Sequence, residues 1–188
     1  MVTDARLAEK AKYESAYTSA HYSMGRPRQL DAITDLTRAM PRGNRKSYLD
    51  VSTGRGEMLG HAKNLGYERV QGTEMVDELL GENVVQAFVH DLPFADNEFQ
   101  VASLFDVIEH LLPGDDEAAC KELARVASDV VILTANNKPS RNAQGDDLHI
   151  NIRPYPEWDQ CFRAWFPGAE VNWVGKRNYV SETWVIRL

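Results

Sequence analysis

From residue 47 onward the chain alternates between short apolar runs and longer amphipathic stretches. The apolar runs are rich in β-branched and aromatic residues and end at polar or turn-forming positions, which predicts strands. The stretches between them carry apolar residues at helical spacing, as Met58, Leu59, Ala62 and Leu65 do before Gly66. Such alternation favours an α/β fold with a mostly parallel sheet covered on both faces.

The pattern also sets the expected bounds of these elements. The predicted strands occupy residues 47–51, 69–73, 84–89, 99–104, 129–134, 169–174 and 179–187. The predicted helices between them occupy residues 56–66, 75–81, 115–127 and 155–166, with a short helical turn at 107–112. Because only a short turn at Gly175–Asn178 separates the last two strands, we expect them to form an antiparallel hairpin.

Two helices are predicted before the first strand, one polar helix from residue 3 to about 15 and a second from near Pro27 to Met40. We expect residues 1–46 to form a helical cap and residues 47–188 to form the core of a single domain, since no linker divides the chain. A loop rich in Asn, Asp and Gly covers residues 135–151.

Composition narrows the setting in which this domain works. The chain has 188 residues, a hydrophobic content of 43% and no apolar run that could cross a bilayer. Cys120 and Cys161 both fall in predicted helices, which favours a reducing cytoplasm over a disulfide framework. A formal net charge of −7 makes nucleic acid an unfavourable partner. The oligomeric state stays open.

The segment from Tyr48 to Gly56 predicts a strand, a tight glycine turn and the start of a helix. Gly54 and Gly56 let a nucleotide-like ligand approach bare backbone, and Asp50 at the strand end can order this turn or accept from the ligand's amino group. Glu74 ends the second strand roughly twenty residues later, where a carboxylate that binds two ribose hydroxyls belongs.

The third strand is followed by Asp91 and Leu92. Asp91 can accept from an exocyclic amine, while Leu92 and Phe88 offer apolar surface to a purine. Taken alone, Glu74 would more often be a helix N-terminal acid and Asp91 a turn residue before Pro93. Because parallel strands end at the same edge of a sheet, their joint spacing favours one shared ligand site.

Four motifs together resemble the class I S-adenosylmethionine-dependent methyltransferases. They lie at residues 49–56 (LDVSTGRG), 70–74 (VQGTE), 90–99 (HDLPFADNEF) and 105–111 (FDVIEHL). The resemblance implies a Rossmann-like three-layer sandwich whose seven strands follow the order 3-2-1-4-5-7-6, with the last strand antiparallel. It also implies S-adenosyl-L-methionine as cofactor and S-adenosyl-L-homocysteine as product.

The resemblance assigns parts of the cofactor to parts of the chain. Residues 50–56, which include Asp50, Ser52, Gly54 and Gly56, would hold the methionine portion. Glu74 would bind the ribose, and Asp91 and Leu92 the adenine. Phe105 and Asp106 would line the pocket between cofactor and substrate. Ser52 stands where the family usually has a glycine, so the carboxylate end of the cofactor is expected to be held differently.

Methyl transfer from a sulfonium is an in-line displacement in which the protein aligns the groups and removes a proton where needed. Asp106, His110 and His149 are the candidate catalytic residues. His110 could instead tie its loop to the following helix, and His149 could be bonded to Asp146 or Asp147. These two acids and His149 could also bind a divalent ion, but with no second cluster at ligand spacing the sequence predicts no metal site.

Tyr17, His21 and Tyr22 are the candidate substrate-binding residues from the cap, with aromatic packing as the simpler alternative. The predicted function is methyl transfer to an oxygen or nitrogen atom of a small-molecule acceptor. An aminopropyl-type transferase on the same fold is one alternative. A non-catalytic S-adenosylmethionine-binding module is another, kept open by Ser52 and by the unassigned base.

Overall fold

The computed structural model describes residues 3–18, 30–142, 144–176 and 181–188. Its helices are α1 (Asp4–Thr18), α2 (Leu30–Ala39), α3 (Glu57–Leu65), α4 (Asp115–Val126) and α5 (Tyr155–Trp165). Its strands are β1 (Ser47–Val51), β2 (Arg69–Glu74), β3 (Val84–Gln86), β4 (Phe99–Leu104), β5 (Ala127–Ala135), β6 (Glu170–Lys176) and β7 (Glu182–Arg187). Single 3-10 turns lie at Arg42–Asn44, Asp77–Leu79 and Ile108–His110.

The strands form one seven-stranded sheet in the order β3-β2-β1-β4-β5-β7-β6. Strands β1 to β5 pair in parallel, whereas β7 runs antiparallel to both β5 and β6. The α/β class, the strand order and the antiparallel last strand are therefore confirmed. The turn predicted at 175–178 lies partly outside the described residues.

Both faces of the sheet are covered, because the side chains of its parallel strands are apolar on both sides. On one face, Leu123 of α4 and Trp158 and Phe162 of α5 pack in a cluster with Leu49 of β1. On the other face, α2 and α3 pack in a second cluster around Tyr48 of β1. The sheet is thus the middle of three layers.

Two predicted elements are shorter than the sequence pattern suggested. The third strand ends at Gln86 rather than at residue 89, because the chain turns at Phe88, whose carbonyl accepts from the Asp91 N–H at 3.0 Å. The helix predicted at 75–81 is only the 3-10 turn Asp77–Leu79. Seven residues are too few to propagate a helix without packing support.

Helix α1 lies against elements that follow the sheet strands. Arg6 forms a salt bridge with Asp115 at the start of α4, and Lys10 bonds the Asp77 carboxylate at 2.6 Å. The predicted cap residues His21 and Tyr22 lie outside the described residues. Within the residues that the structure describes, no helix is long and apolar enough to cross a membrane.

Helix α3 packs so closely on β2 that the contact point must be a glycine. A Cβ added at Gly72 would lie 2.8 Å from Thr53 Cγ2 and 3.0 Å from Leu59 Cδ1. Both distances are shorter than packed carbon atoms tolerate. Gly72 therefore sets the distance between the helix that begins at the glycine turn and the strand that carries Glu74.

We expect Gly72→Ala to lower the free energy of unfolding by about 1–3 kcal/mol, because the added methyl overpacks this contact. Gly60→Ala is the matched control: Gly60 is exposed on α3, with no atom within 4 Å of an added Cβ. That change is expected to raise the same quantity by roughly 0.5–1 kcal/mol through helix propensity. Urea unfolding checks both values, and equal effects of the two substitutions would contradict the close-packing argument.

Candidate functional site

A cavity of about 430 Å³ opens at the carboxyl ends of β1, β2 and β4. The strand order reverses between β1 and β4, and open α/β sheets bind their ligands at such a switch point. The predicted site residues that line this cavity are Tyr17, Asp50, Ser52, Gly54, Glu74, Phe105, Asp106, His110 and His149. Gly56 does not line it but caps the N-terminus of α3 beside it.

The Glu74 carboxylate ties the end of β2 to the glycine turn after β1. Its Oε2 accepts the Gly54 N–H at 2.9 Å, and its Oε1 accepts the N–H groups of Met75 and Val76 at 2.9 and 3.3 Å. Burial raises the pKa of Glu74, and these three N–H groups oppose that shift. A carboxylate has about four lone-pair positions, so acceptor capacity is left for a ligand in the cavity.

Asp50 is the buried acid of the glycine turn. Its carboxylate accepts from the Ser103 hydroxyl at 2.6 Å and from the Thr53 hydroxyl at 2.7 Å. Burial raises the pKa of Asp50 to about 6, the two hydroxyls oppose the shift, and the nearby Glu74 adds to it. A cation bound in this part of the cavity would relieve the cost of the buried negative charge.

Three residues of the turn between Asp50 and α3, namely Ser52, Gly54 and Gly56, have left-handed conformations. Gly54 has φ +57°, and a Cβ there would lie 3.0 Å from the Tyr17 hydroxyl oxygen, so α1 lies directly over bare backbone. Ser52 has φ 56°, in a region that favours glycine. The position at which the sequence departs from the family pattern is therefore one where a glycine would be less strained.

The segment after the third strand contributes only some of the predicted residues to the cavity. Phe88 lines the cavity as expected, together with Val89 and His90, which were not predicted, whereas Asp91 and Leu92 are outside its lining. The Leu92 N–H donates to the Glu122 carboxylate of α4 at 2.8 Å, and the Leu92 side chain is buried in the core. This attachment to α4 holds the segment away from the cavity, and Asp91 is exposed.

Asp106 follows β4 at the opposite side of the switch point from the glycine turn. It has φ 52°, and its Oδ1 accepts from the hydroxyls of Ser181 at 2.5 Å and Thr134 at 3.1 Å. Its own N–H donates to the Thr134 hydroxyl at 2.7 Å. These bonds fix a strained backbone next to Phe105, which also lines the cavity.

His110 and His149 meet at one end of the cavity, with ring centroids 4.6 Å apart in a T-shaped arrangement. Nδ1 of His110 lies 3.0 Å from the Leu148 carbonyl oxygen, and Nδ1 of His149 contacts the Lys138 carbonyl oxygen. Burial lowers the pKa of His149. Burial, and then the charge of His149, lower the pKa of His110 to about 3. Both imidazoles are therefore neutral near pH 7.

Glu109 is a residue of this site that sequence reasoning did not select. Its side chain is fully buried, and neither carboxylate oxygen has a hydrogen-bond partner in the described part of the chain. Burial and then the Asp106 charge raise the pKa of Glu109 well above its usual range, and the N–H groups of Glu109 and Asn136 only partly oppose this. Its position before His110 was visible in the sequence, but its burial was not.

Tyr13 was also missed. Its hydroxyl lies 2.6 Å from His110 Nδ1, and both residues line the cavity. The signal that could have found Tyr13 is its spacing from Tyr17, four residues later, which places both rings on one face of α1. Helix α1 thus contacts both the glycine turn and the histidine end of the cavity.

Fold and site together define a Rossmann-like α/β protein with a ligand cavity at the switch point of its sheet, and comparison with known proteins shows which proteins it resembles. Residues 49–133 match the protein family described as a methyltransferase domain. No curated protein sequence matches the chain. The matched segment resembles a methyltransferase domain, and the fold is that of the class I S-adenosylmethionine-dependent methyltransferases, which supports S-adenosylmethionine as the cofactor.

Solved structures share the fold at low sequence identity. The Burkholderia thailandensis 1,6-didemethyltoxoflavin-N1-methyltransferase, solved with 1,6-didemethyltoxoflavin and S-adenosylhomocysteine, is 15% identical with a TM-score of 0.71, covering 100% of this chain and 91% of that chain. An Aquifex aeolicus S-adenosylmethionine-dependent methyltransferase is 15% identical with a TM-score of 0.62, covering 87% and 98%. A Haloferax volcanii protein, solved with the Trm112 methyltransferase activator, is 13% identical with a TM-score of 0.66, covering 96% of both chains.

The left-handed conformation at position 52 leads to a stability prediction. We expect Ser52→Gly to raise the free energy of unfolding by up to about 1 kcal/mol, because relief of the strained Cβ exceeds the added chain entropy of glycine. Ser52→Ala is the control, since it removes the hydroxyl but keeps the Cβ. Thermal and urea unfolding measure the change. A glycine variant no more stable than the alanine variant would show that the backbone is not strained here.

Proposed function

We propose that the protein transfers a methyl group from S-adenosylmethionine to an oxygen or nitrogen atom of a small-molecule acceptor. The observation that carries this proposal is a single cavity lined at one part by Asp50, Glu74 and the glycine turn and at another by His110 and His149. Cofactor and acceptor would meet between them, beside Phe105 and Asp106.

The cofactor half of the proposal follows from charge and shape. The Asp50 carboxylate is buried beside Glu74, and both the burial and the charge of Glu74 raise its pKa. The positively charged ammonium group of the methionine portion would therefore bind favourably next to Asp50. The one lone-pair position of Glu74 that the three N–H groups leave open suits a ribose hydroxyl. In place of Asp91 and Leu92, we now assign the adenine to the wall formed by Phe88 and Val89, whose side chains give apolar contact.

The acceptor half follows from the two neutral imidazoles. A methyl acceptor that attacks through oxygen or nitrogen loses a proton, and a neutral imidazole nitrogen can take it. His149 is the better placed of the two, because it is only half-buried whereas His110 also contacts Tyr13. Tyr17 from α1 would close the cavity over the bound molecules, and the roles of His21 and Tyr22 stay predictions from the sequence.

The setting is proposed on similar grounds. Cys120 and Cys161 are unpaired, which supports the cytoplasmic location expected from the sequence. The net charge of −7 supports a small acceptor over nucleic acid. Incubation with S-adenosylmethionine and a panel of hydroxyl- and amine-bearing compounds tests the proposal. Methylated products support it, aminopropylated products would favour the alternative transferase, and tight cofactor binding without turnover would favour a binding module.

We expect Glu74→Gln to weaken S-adenosylmethionine binding by about 1–3 kcal/mol, which is roughly 5- to 150-fold in Kd, because an amide nitrogen replaces one acceptor oxygen. Isothermal titration calorimetry measures the affinity, and circular dichroism checks that the variant is folded. Glu78→Gln, at an exposed position near Glu74 in the chain, is the control and should bind normally. Unchanged affinity in a folded Glu74→Gln variant would remove this residue from the cofactor site.

We expect His149→Ala to lower kcat by at least about 100-fold while leaving the cofactor Kd within about twofold, since it removes the acceptor-side base. Single-turnover assays and calorimetry separate the two quantities. Asp147→Asn, in the same loop, is the control because the Asp147 carboxylate pairs with Arg141 at the surface. Full activity of His149→Ala would reduce His149 to a loop residue.

A further inference from the structure

A group of three metal-ligating side chains lies at the histidine end of the cavity. One donor atom each from Glu109, His110 and His149 lies within 4.8 Å of the other two. His149 lines the main cavity and also a smaller one of about 240 Å³, which Glu109 borders as well. The group is therefore reachable from the space in which the acceptor would bind.

The hydrogen bonds of both imidazoles are compatible with a lone pair on Nε2 that binds a cation. A carbonyl oxygen only accepts, so Nδ1 of His149 donates its proton to the Lys138 carbonyl and its lone pair is on Nε2. Nδ1 of His110 lies 3.0 Å from the Leu148 carbonyl oxygen and 2.6 Å from the Tyr13 hydroxyl oxygen. Donation from Nδ1 to the carbonyl, with the hydroxyl oxygen as a second acceptor, leaves the lone pair of His110 on Nε2 as well. A backbone carbonyl on the other ring nitrogen is the usual support of a metal-binding histidine.

The third donor, Glu109, is close to the N–H groups of Glu109 and Asn136, which oppose the rise of its pKa only in part. Both of its oxygens are buried and lack hydrogen bonds within the described residues. A carboxyl group left in this state costs free energy whether it is charged or neutral. A cation between Glu109 and the two Nε2 atoms would remove that cost, which internal hydrogen bonds do not.

We propose that Glu109, His110 and His149 form a binding site for one divalent transition-metal cation of the Zn²⁺ type. Two imidazoles with one carboxylate suit Zn²⁺, Mn²⁺, Co²⁺ or Fe²⁺, whereas Mg²⁺ and Ca²⁺ prefer all-oxygen sites. Ligand distances of about 2.0–2.2 Å require the three donors to draw together by small side-chain rotations. Three protein ligands leave at least one coordination position open, as in catalytic zinc sites.

The charges around this site are of both signs. Asp106 borders both cavities and adds a negative charge, while Lys138 borders the smaller one and carries a positive charge. Lys12 of α1 adds a second positive charge, which acts on His110. These four charges cancel when both carboxylates are ionised, so the attraction for a cation comes from the three donor atoms and not from the surrounding charges.

A metal at this position deepens the proposed function and rests on it, because the open position would face the acceptor. An acceptor hydroxyl bound there would lose its proton to solvent more readily, since the ion lowers its pKa. The oxygen would then attack the methyl carbon: the O–CH₃ bond forms, the S–CH₃ bond breaks, and its electron pair stays on the neutral sulfur of S-adenosylhomocysteine. With the ion bound, His149 would act as a metal ligand and no longer as the base that deprotonates the acceptor. Such a site favours an oxygen acceptor.

Binding of the metal alone tests the site. The chelator-treated protein is titrated with Zn²⁺ by calorimetry and with Co²⁺ by visible absorption, because the d–d bands of Co²⁺ report the number and geometry of its ligands. We expect one ion per chain, and at least a tenfold weaker Kd in Glu109→Gln and in His149→Gln. Asp147→Asn is the control and should bind as the parent does. No stoichiometric ion, or equal binding by the His149→Gln and Asp147→Asn variants, would overturn the proposal.

Two features keep this test decisive. If Glu109→Gln fails to fold, His149→Gln still decides it, because His149 is half-buried on a loop. The metal titrations need no acceptor, so they succeed or fail independently of methyl transfer. If the protein binds Zn²⁺ but transfers no methyl group, the metal site is supported and the proposed function is contradicted. If it transfers a methyl group but binds no ion, the proposed function is supported and the metal site is contradicted.

Discussion

The parallel register of β1 with its two neighbours is the constraint on which this site depends. Asp50 pairs with Gly72 of β2 on one side and with Ser103 of β4 on the other, so three strands end together. The Ser103 hydroxyl then reaches the Asp50 carboxylate, and Glu74 reaches the Gly54 N–H. A register slip of one residue would turn these side chains to the other face of the sheet and dismantle every one of these contacts.

Two strained residues stand on either side of this switch point. Ser52 after β1 and Asp106 after β4 both have positive φ. Strain of this kind persists only where the surroundings fix it, as Thr134 and Ser181 do for Asp106. The backbone leaves each strand abruptly at these two points, which opens the cavity between the turns instead of closing it with a regular strand-to-helix connection.

The sequence could predict those parts of the fold and the site that depend on residues close together in the chain, but not those that depend on contacts between distant residues. The glycine turn and the cavity position of Glu74 follow from local patterns that the chain displays directly, and the strand order follows from the family resemblance that these motifs carry. The place of Leu92 does not, because it is set by a hydrogen bond to Glu122, thirty residues away on α4. Glu109 could not be selected for a similar reason: burial without a partner is a property of the packed structure and not of the motif around it.

The residues assigned to the cofactor and those assigned to the acceptor lie in different parts of the chain. The family match at residues 49–133 contains Asp50, Glu74 and His110 but ends before His149 and begins after α1. The shared part therefore supplies the sheet edge that suits the cofactor. The flanking parts supply Tyr13 and the loop carbonyls that orient the two imidazoles. These flanks border the end of the cavity that lies away from Glu74, so we expect the choice of acceptor to depend on them and not on the shared part of the fold.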